Sequence, residues 1–282
     1  DPRRYLYREF LAHVAYFQPK IFVMENVPGI RSAIDGEFFR RVQEEARDLG
    51  YRVHSEVVHA WRYGVPQKRI RQLIIGTRRE LPIFSSSLFM HATHRDPGLS
   101  SAAPLLPPTT LWEAIGDLPP LTAGKGEHEA TYDLDRRAQF RKQNRTWYLD
   151  TVLEVSRAST LNSHVARPQS ERDIRDFKRL RQGENSKQAL RRGVRMEFPY
   201  DQKSFADRYT RQHQDRLCST IMAHMSKDGL MYIHPTQLRS LTPREAARVQ
   251  SFPDWFVLPE SRMHAYRLVG NAVPPLVAQA IG

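Results

Sequence analysis

An acidic residue, Glu25, follows directly after a short apolar run at residues 21–24. A continuous apolar run of this length is typical of a strand buried on both faces of a parallel sheet. In open α/β sheets, ligands bind beyond the carboxyl ends of the strands. A carboxylate in that place could bind or protonate a substrate. The alternative is that Glu25 only caps a helix or stabilises the turn at residues 26–29.

Two arginines, Arg69 and Arg71, lie two residues apart just before another predicted strand at residues 72–77. Strand alternation would place both guanidinium groups on one face of the sheet, with Ile70 on the other. Two guanidinium groups on one face could bind an anion or the carbonyl of a base. A solvated pair at the edge of the sheet is the alternative.

Other polar and reactive groups give weaker signals. Asn271 follows Gly270 just before the last predicted helix, where it could contact a polar ligand, although these residues are also typical of an ordinary turn. The single cysteine, Cys218, has no base beside it in the sequence, which favours a small buried thiol over a nucleophile. The eleven histidines show no metal-ligand spacing, so no metal site is predicted.

The elements that position these residues alternate between strand and helix in the first part of the chain. An amphipathic stripe at residues 38–49 predicts a helix, and residues 51–60 alternate as a strand does. Strand, helix and strand with short links predict part of an open α/β sheet. Residues 80–122 contain seven prolines and are predicted to be an irregular linker. Further on, Thr242 and Glu245 have the spacing of a capping box, which predicts the start of a helix.

The composition indicates a polyanionic partner. The 282 residues carry a net charge of +12, and residues 136–216 alone contain 20 Lys and Arg against 10 Asp and Glu. Charge concentrated in one block favours a nucleic-acid surface over an ordinary solvated one. The candidate contacts lie in two runs of this block, namely Arg172, Arg175, Lys178, Arg179, Arg181, Arg191, Arg192 and Arg195.

The composition also excludes several classes of protein. No apolar run reaches the roughly 18–20 residues that a membrane span needs, so no membrane partner is expected. One cysteine cannot form an intramolecular disulfide or a multi-cysteine zinc site. A reducing, cytoplasmic setting fits this composition best.

Several segments, in this order, resemble the later conserved blocks of bacterial DNA cytosine-5 methyltransferases. They are FVMENVPG at residues 22–29, YGVPQKRIR at 63–71, TPREAARVQSFP at 242–253 and GNAVPPLVAQAI at 270–281. Three further segments are similar to the same family: WEAIGDLP at 112–119, NSHVAR at 162–167 and STIMAHMSKDG at 219–229. The stretch between the second and third blocks occupies the family's target-recognition region, which is also where the positive charge lies.

The resemblance implies methyl transfer to C5 of a cytosine that is flipped out of a specific duplex DNA site, as in a restriction–modification system. It assigns Glu25 to the N3 and N4 edge of the base and Arg71 to the O2 side. Arg69 would support the nucleophile loop or the reacting base. Gln67 is a weaker candidate for substrate binding.

The methyl donor implied by the resemblance is S-adenosylmethionine. Asn271 and Val273 resemble the family's cofactor contacts in its last conserved block. The implied fold is α/β, with a partial Rossmann-like methyltransferase sheet and a separate target-recognition domain. The expected division is a partial catalytic domain at residues 1–79, a linker and target-recognition domain at 80–235, and C-terminal helices at 236–282 that return to the catalytic domain.

The resemblance also shows what residues 1–282 lack. Members of the family carry a Gly-rich cofactor segment and a Pro-Cys nucleophile loop before the Glu-Asn-Val block. Only 24 residues precede Glu25, and none is a cysteine. We therefore expect this chain alone to be inactive, with the absent blocks either truncated or located on a partner chain.

Three other functions are compatible with the sequence. The chain could be one subunit of a naturally split methyltransferase, or a non-catalytic DNA-binding protein derived from such an enzyme. It could also be a tRNA cytosine-5 methyltransferase of similar fold. The long basic region between the second and third blocks favours DNA, because the tRNA enzymes resemble this family with a shorter insert.

Overall fold

A computed structural model of the chain describes the following residues: 6–33, 35–82, 91–98, 104–198 and 208–282. The chain divides into two compact units. The first unit comprises residues 1–60, 70–91 and 280–282, and the second comprises residues 61–69 and 92–279. Within the described residues, no helix is both long and apolar enough to cross a membrane.

The first unit alternates helices and strands. Its elements are α1 (Leu6–Phe17), β1 (Ile21–Asn26), α2 (Glu37–Asp48), β2 (Tyr51–His59) and β3 (Ile70–Arg78). The helix predicted at 38–49 and the strands predicted at 51–60 and 72–77 are confirmed to within two residues at each end. The α/β class predicted for this part of the chain is therefore confirmed.

The sheet of the first unit has the strand order β1-β3-β2, and both pairings are antiparallel. β1 and β2 therefore run in the same direction, with α2 between them in the chain and β3 between them in the sheet. The prediction of a parallel sheet is wrong at the level of pairing. Hydrophobic periodicity reports which face of a strand is buried, but it does not report the direction of the neighbouring strand.

One face of β1 packs in the core of the first unit. Phe22 and Met24 are buried against α1 and α2, and the side-chain-free Gly76 of β3 leaves room for the Phe22 ring. On the other face, Ile21 and Val23 are 41% and 37% exposed. The prediction that β1 is buried on both faces is therefore wrong for the described residues.

The second unit is mainly helical. Its elements are α3 (Leu111–Ile115), β4 (Gly126–Ala130), α4 (Leu134–Gln143), β5 (Leu161–Val165), α5 (Glu171–Arg179), α6 (Ser186–Arg191), α7 (Pro243–Val249), α8 (Arg262–Asn271) and most of α9 (Pro275–Ile281). β4 and β5 form an antiparallel pair. The larger hydrophobic cluster gathers side chains of α3, β5, α7 and α8, and a smaller one surrounds Phe177 of α5.

Helix α7 begins as its sequence predicts. The Thr242 hydroxyl accepts a hydrogen bond from the Glu245 backbone N–H, and the Glu245 carboxylate accepts one from the Thr242 backbone N–H at 2.7 Å. Every residue of α7 is buried, including Arg244 and Arg248. Arg248 is paired with Asp117 and Asp254, so its buried charge is compensated.

The prediction that residues 80–122 form an irregular linker is only partly correct. Residues 83–90 and 99–103 lie outside the described residues. Residues 111–115 form α3, which begins with a capping box between Thr110 and Glu113. Leu111 and Ile115 are buried in the larger hydrophobic cluster. The prolines flank this helix rather than interrupt it, so proline content alone misses it.

Candidate functional site

Glu25 and Arg71 form an ion pair in the sheet of the first unit. Arg71 Nε lies 2.6 Å from Glu25 Oε1, and the two side chains are 16% and 26% exposed respectively. β1 and β3 are neighbours, with Glu25 opposite Leu73, two residues from Arg71. This register places the two side chains together at the carboxyl end of β1.

The carboxylate of this pair retains hydrogen-bonding capacity. Although Glu25 Oε1 is close to the guanidinium, it accepts no hydrogen bond with favourable geometry from any described residue. The guanidinium compensates the charge at Oε1, and the exposed part of the carboxylate can still accept a hydrogen bond. A partly exposed acid and cation side by side could bind a planar polar group that has a donor next to an acceptor.

Arg69 has a different environment from Arg71. It is 1% exposed in the second unit, and it donates hydrogen bonds to the carbonyl oxygens of Ile221, Gly270 and Ala272 at 2.9, 3.3 and 2.9 Å. The prediction that the two arginines share a strand face is wrong, because β3 begins at residue 70 and the alternation does not extend to Arg69. Its predicted support of a nucleophile loop or of the reacting base stays a prediction.

Gln67 is fully buried in the second unit. Its Nε2 donates to the carbonyl oxygen of Val249 at 3.0 Å and contacts the Gln250 side chain, and its Oε1 accepts from the Ile221 backbone N–H at 3.1 Å. The amide of Gln67 is therefore occupied by contacts inside the second unit. Its predicted binding of the substrate stays a prediction.

Asn271 and Val273 lie on either side of Ala272, whose carbonyl oxygen is held by two side chains at the end of α8. The carbonyl oxygen of Ala272 accepts hydrogen bonds from Arg69 Nη2 at 2.9 Å and from Gln250 Nε2 at 2.6 Å. The side chain of Asn271 is exposed, and that of Val273 is partly exposed. This turn therefore presents an exposed amide and a partly exposed apolar side chain, and their predicted contact with a cofactor stays a prediction.

Gly270 permits a close approach of two backbones in the second unit. A Cβ atom at this position would lie 2.6 Å from Ala223 Cα, with other backbone atoms of residues 222 and 223 nearer still. Residues 223–226 form a 3-10 turn beside α8. The glycine is therefore required by space, and it helps to set the position of Asn271.

The basic candidates of the second unit divide into paired and unpaired side chains. Arg175 and Arg179 are both paired with Glu197, at 2.8 and 2.7 Å, and Arg192 is paired with Glu184 at 2.7 Å.

The remaining basic candidates have weaker contacts. Arg172 is half-buried and lies 3.5 Å from the neighbouring Asp173 carboxylate. Four others are exposed and form no ion pair with a described residue: Lys178, Arg181, Arg191 and Arg195.

Cys218 is a buried thiol, as its sequence context predicts. It is completely buried, and this burial raises the pKa of its thiol to about 12. Its backbone N–H donates to the Pro66 carbonyl, and its carbonyl accepts from the Lys68 N–H. Because the thiolate is the reactive form, a thiol with this pKa is inert at neutral pH.

The second unit contains a cluster of buried charged side chains that was not predicted from the sequence. Arg248 contacts Asp117 and Asp254 inside the second unit, and Arg239 contacts Glu245 at 2.7 Å. The only sequence feature that pointed to this region was the Thr242–Glu245 capping box, which predicts a helix start but no buried ion pairs. Among the described residues, no group of three or more His, Cys, Asp or Glu side chains is placed to hold a metal ion.

The profile of the C-5 cytosine-specific DNA methylase family matches residues 1–282, and the chain therefore belongs to this family. It is 33% identical over 300 residues to the type II methyltransferase M.Bpa9945I of Bacillus paralicheniformis, covering 100% of this chain and 63% of that protein. It is 31% identical over 298 residues to the type II methyltransferase M.DdeI of Desulfomicrobium norvegicum, covering 100% and 66%. The chain thus spans less than two thirds of the length of these two relatives.

A solved structure shares the fold. It is the crystal structure of a protein described as a DNA modification methyltransferase encoded within an Escherichia coli prophage. The TM-score is 0.72 at 24% sequence identity, and the match covers 100% of this chain and 73% of that one.

Proposed function

We propose that this chain forms part of a DNA cytosine-5 methyltransferase, which transfers a methyl group from S-adenosylmethionine to C5 of a cytosine flipped out of duplex DNA. The observation that carries this proposal is the Glu25–Arg71 ion pair at the carboxyl end of β1, in a chain of this family. The exposed parts of the two side chains offer a carboxyl group and a guanidinium group on one small surface.

The chemistry of cytosine explains why these two groups are needed. C5 is a poor nucleophile, and addition of a thiolate to C6 makes it reactive. This addition moves electron density onto N3 and O2 of the ring. In the proposed role, Glu25 binds the N3 and N4 edge and supplies a proton at N3, and Arg71 stabilises the negative charge that develops on O2.

The thiolate comes from outside residues 1–282 in this proposal. Cys218 is the one cysteine of the sequence, and its burial and raised pKa make it unsuitable as the nucleophile. The nucleophile therefore lies on another part of the same polypeptide or on a partner chain. Residues 1–282 alone are then expected to bind duplex DNA but not to methylate it.

The free edge of β1 is evidence that a further strand, from outside the described residues, pairs with β1 in the complete enzyme. Among the described strands, β1 pairs on one side only, with β3. Ile21 and Val23 are exposed on the same strand, and Tyr16 and Phe17 at the end of α1 are 82% and 70% exposed. Exposed strand edges and apolar surface of this kind are normally covered. We assign residues 1–79 on this basis to part of a Rossmann-like methyltransferase sheet.

The methyl donor supplies an activated methyl group when it is bound. Asn271 and Val273 are the residues of this chain proposed to contact it, and Arg69 and Gln250 keep the turn between them in place. Arg69 is accordingly a positioning residue. The type II names of the relatives support a role in a restriction–modification system.

The target-recognition role is proposed for residues 80–235, with residues 236–282 as C-terminal helices. The exposed cations of α5 and of the segment after α6 support binding of a polyanion. Duplex DNA is the proposed partner.

The test is methyl transfer by the complete enzyme, which contains this chain and the segment with the nucleophile. Tritium incorporation from labelled S-adenosylmethionine is measured with duplex DNA and, in a parallel reaction, with tRNA. Glu25→Gln should reduce the rate on DNA by about 10²–10⁴-fold while duplex affinity changes little. Glu44→Gln, an exposed acid on α2, is the matched control and should stay within a few-fold of the unmodified enzyme.

Each alternative has its own outcome in this assay. Transfer to tRNA but not to DNA would assign the chain to tRNA methylation. DNA binding without transfer to either substrate would favour a non-catalytic binding protein. A Glu25→Gln enzyme with normal turnover would refute the role given to that carboxylate.

A further inference from the structure

The basic surface around α5 contains an acid, Glu197, that neutralises part of its positive charge. We propose that Glu197 masks Arg175 and Arg179 from the DNA backbone, so that Lys178, Arg181, Arg191 and Arg195 are the phosphate contacts of this surface. In this role Glu197 limits sequence-independent affinity for DNA. The inference rests on the proposed binding of DNA by the second unit.

The contacts of Glu197 with the two arginines use both of its carboxylate oxygens. Arg175 donates to Oε2 through Nη2 at 2.8 Å and through Nε at 3.1 Å. Arg179 approaches Oε1 through Nη2 at 2.7 Å. These contacts lower the pKa of Glu197 to about 2, because the arginine hydrogen bonds favour its charged form. Glu197 is therefore ionised at any pH at which DNA binds.

Glu197 is held in place by a second, buried acid. Asp176 of α5 is completely buried, and its two carboxylate oxygens accept hydrogen bonds from the Glu197 backbone N–H at 2.9 and 3.0 Å. Asp176 also accepts a hydrogen bond from Arg179 Nη1 at 2.8 Å. The geometry of the Glu197 pairs is thus fixed by the fold, unlike that of most exposed ion pairs.

The paired arginines carry little net charge for a polyanion. Arg175 and Arg179 provide two positive charges, which the negative charges of Asp176 and Glu197 cancel. A phosphate that bound either arginine would have to displace a carboxylate or bind beside one. Exchange of one ion pair for another releases few counterions from DNA, so a paired arginine adds little to affinity or to its salt dependence.

The unpaired cations contrast with these arginines. Lys178 lies on α5 between Arg175 and Arg179 in the sequence, yet it is exposed and forms no ion pair with a described residue. Arg191, the last residue of α6, is exposed in the same way, whereas its neighbour Arg192 is paired with Glu184. Adjacent residues of the same charge are therefore expected to differ in their contribution to DNA binding.

The experiment measures the salt dependence of binding to a non-specific duplex by the complete enzyme. Each phosphate contact contributes about 0.9 to the steepness of log K against log salt. Lys178→Gln and Arg191→Gln should each reduce the steepness by about 0.9. Arg175→Gln and Arg192→Gln, the matched controls, should leave it nearly unchanged. Glu197→Gln should increase the steepness by about 0.9 and raise non-specific affinity, because it removes one negative charge and frees Arg175, whereas Arg179 keeps its pair with Asp176.

The outcomes separate this inference from the function on which it rests. A slope near zero for the unmodified enzyme would refute DNA binding by the second unit. If the unmodified enzyme has a normal slope but Lys178→Gln and Arg175→Gln reduce it equally, masking by Glu197 is refuted while DNA binding stands. An unchanged slope for Glu197→Gln would refute the masking in the same way. Glu197→Gln keeps the backbone N–H that binds Asp176, and circular dichroism checks its folding. If it does not fold, comparison of Arg179→Gln with Arg191→Gln decides the question.

Discussion

Arg69 Nη2 donates a hydrogen bond to the carbonyl oxygen of Ala272 at 2.9 Å, across more than two hundred residues of sequence. Its Nη1 binds the carbonyl oxygen of Ile221 at the same distance. One buried guanidinium group thereby fixes two backbone segments of the second unit. Since Asn271 lies in one of them, the position of this proposed cofactor contact depends on Arg69.

Replacement of Arg69 should affect stability and cofactor binding together. Arg69→Gln removes the charged donor and leaves buried carbonyl groups without a partner, which should lower the free energy of unfolding by about 3 kcal/mol. The Michaelis constant for S-adenosylmethionine should rise more than the turnover number falls. Urea unfolding and steady-state kinetics of the complete enzyme provide the two measurements. Unchanged stability would contradict the anchoring role. Arg69→Lys should give an intermediate result, because a lysine has one nitrogen and cannot bind the separate carbonyl oxygens that the guanidinium nitrogens reach.

Gly270→Ala should be strongly destabilising. The new Cβ would overlap backbone atoms of residues 222 and 223, and a backbone cannot move aside as a flexible side chain can. Overpacking of this kind costs about 1–3 kcal/mol. Thermal unfolding measures the loss. Gly29→Ala is the control, because nothing lies within 4 Å of a Cβ at that position.

The stability of the second unit should decrease between pH 6.5 and pH 5. Burial lowers the pKa of His234 to about 3 and that of His94 to about 4, and it also lowers the pKa of His164. In the unfolded chain a histidine titrates near 6.5. Below that pH the unfolded state binds protons that the folded state does not, so each such histidine weakens folding by up to about 1.4 kcal/mol per pH unit.

Urea midpoints at pH 7.5, 6.5, 5.5 and 5.0 test this dependence. His234 Nδ1 accepts hydrogen bonds from the backbone N–H groups of Thr236 and Gln237, both at 3.1 Å. His234→Asn offers an acceptor that does not titrate, and it should make the dependence shallower. Burial raises the pKa of Glu245, but Arg239 and the neighbouring histidines together lower it by more, so the stability that this pair contributes is lost only as the pH falls below about 4.5. A flat profile down to pH 5 would contradict the prediction.

Cys218→Ala should leave methyl transfer by the complete enzyme within a few-fold of normal. The buried thiol fills space and is not ionised, so its loss should cost only about 1–2 kcal/mol of stability. In the native protein Cys218 should resist a maleimide reagent, and it should react once urea unfolds the chain. Loss of transfer with unchanged stability would show that Cys218 takes part in the reaction.

The sequence predicts best where a structure depends on neighbouring residues. The Thr242–Glu245 capping box and α2 are local, and both agree with the structure. The position of Glu25 at the end of a strand is local as well. The insertion of β3 between β1 and β2 depends instead on long-range pairing, which no periodicity encodes.

Charged residues are the least predictable part of the candidate site. The Arg248–Asp117 contact joins residues 131 positions apart, and Arg175 meets Glu197 across 22. A count of basic residues treats Arg175 and Lys178 alike, whereas the structure separates them by their partners. Arg69 and Arg71 are separated in the same way, by the point at which β3 begins.

The central place of β3 has a consequence for biosynthesis. β1 and β2 leave the ribosome first, but neither has the other as a partner, since every described strand pairing of the first unit involves β3. The β1-β3-β2 part of the sheet therefore cannot form during translation until residues 70–78 have emerged from the exit tunnel. A nascent chain arrested before Ile70 should leave β1 and β2 without their β3 pairing, and it would be a natural substrate for a holdase chaperone.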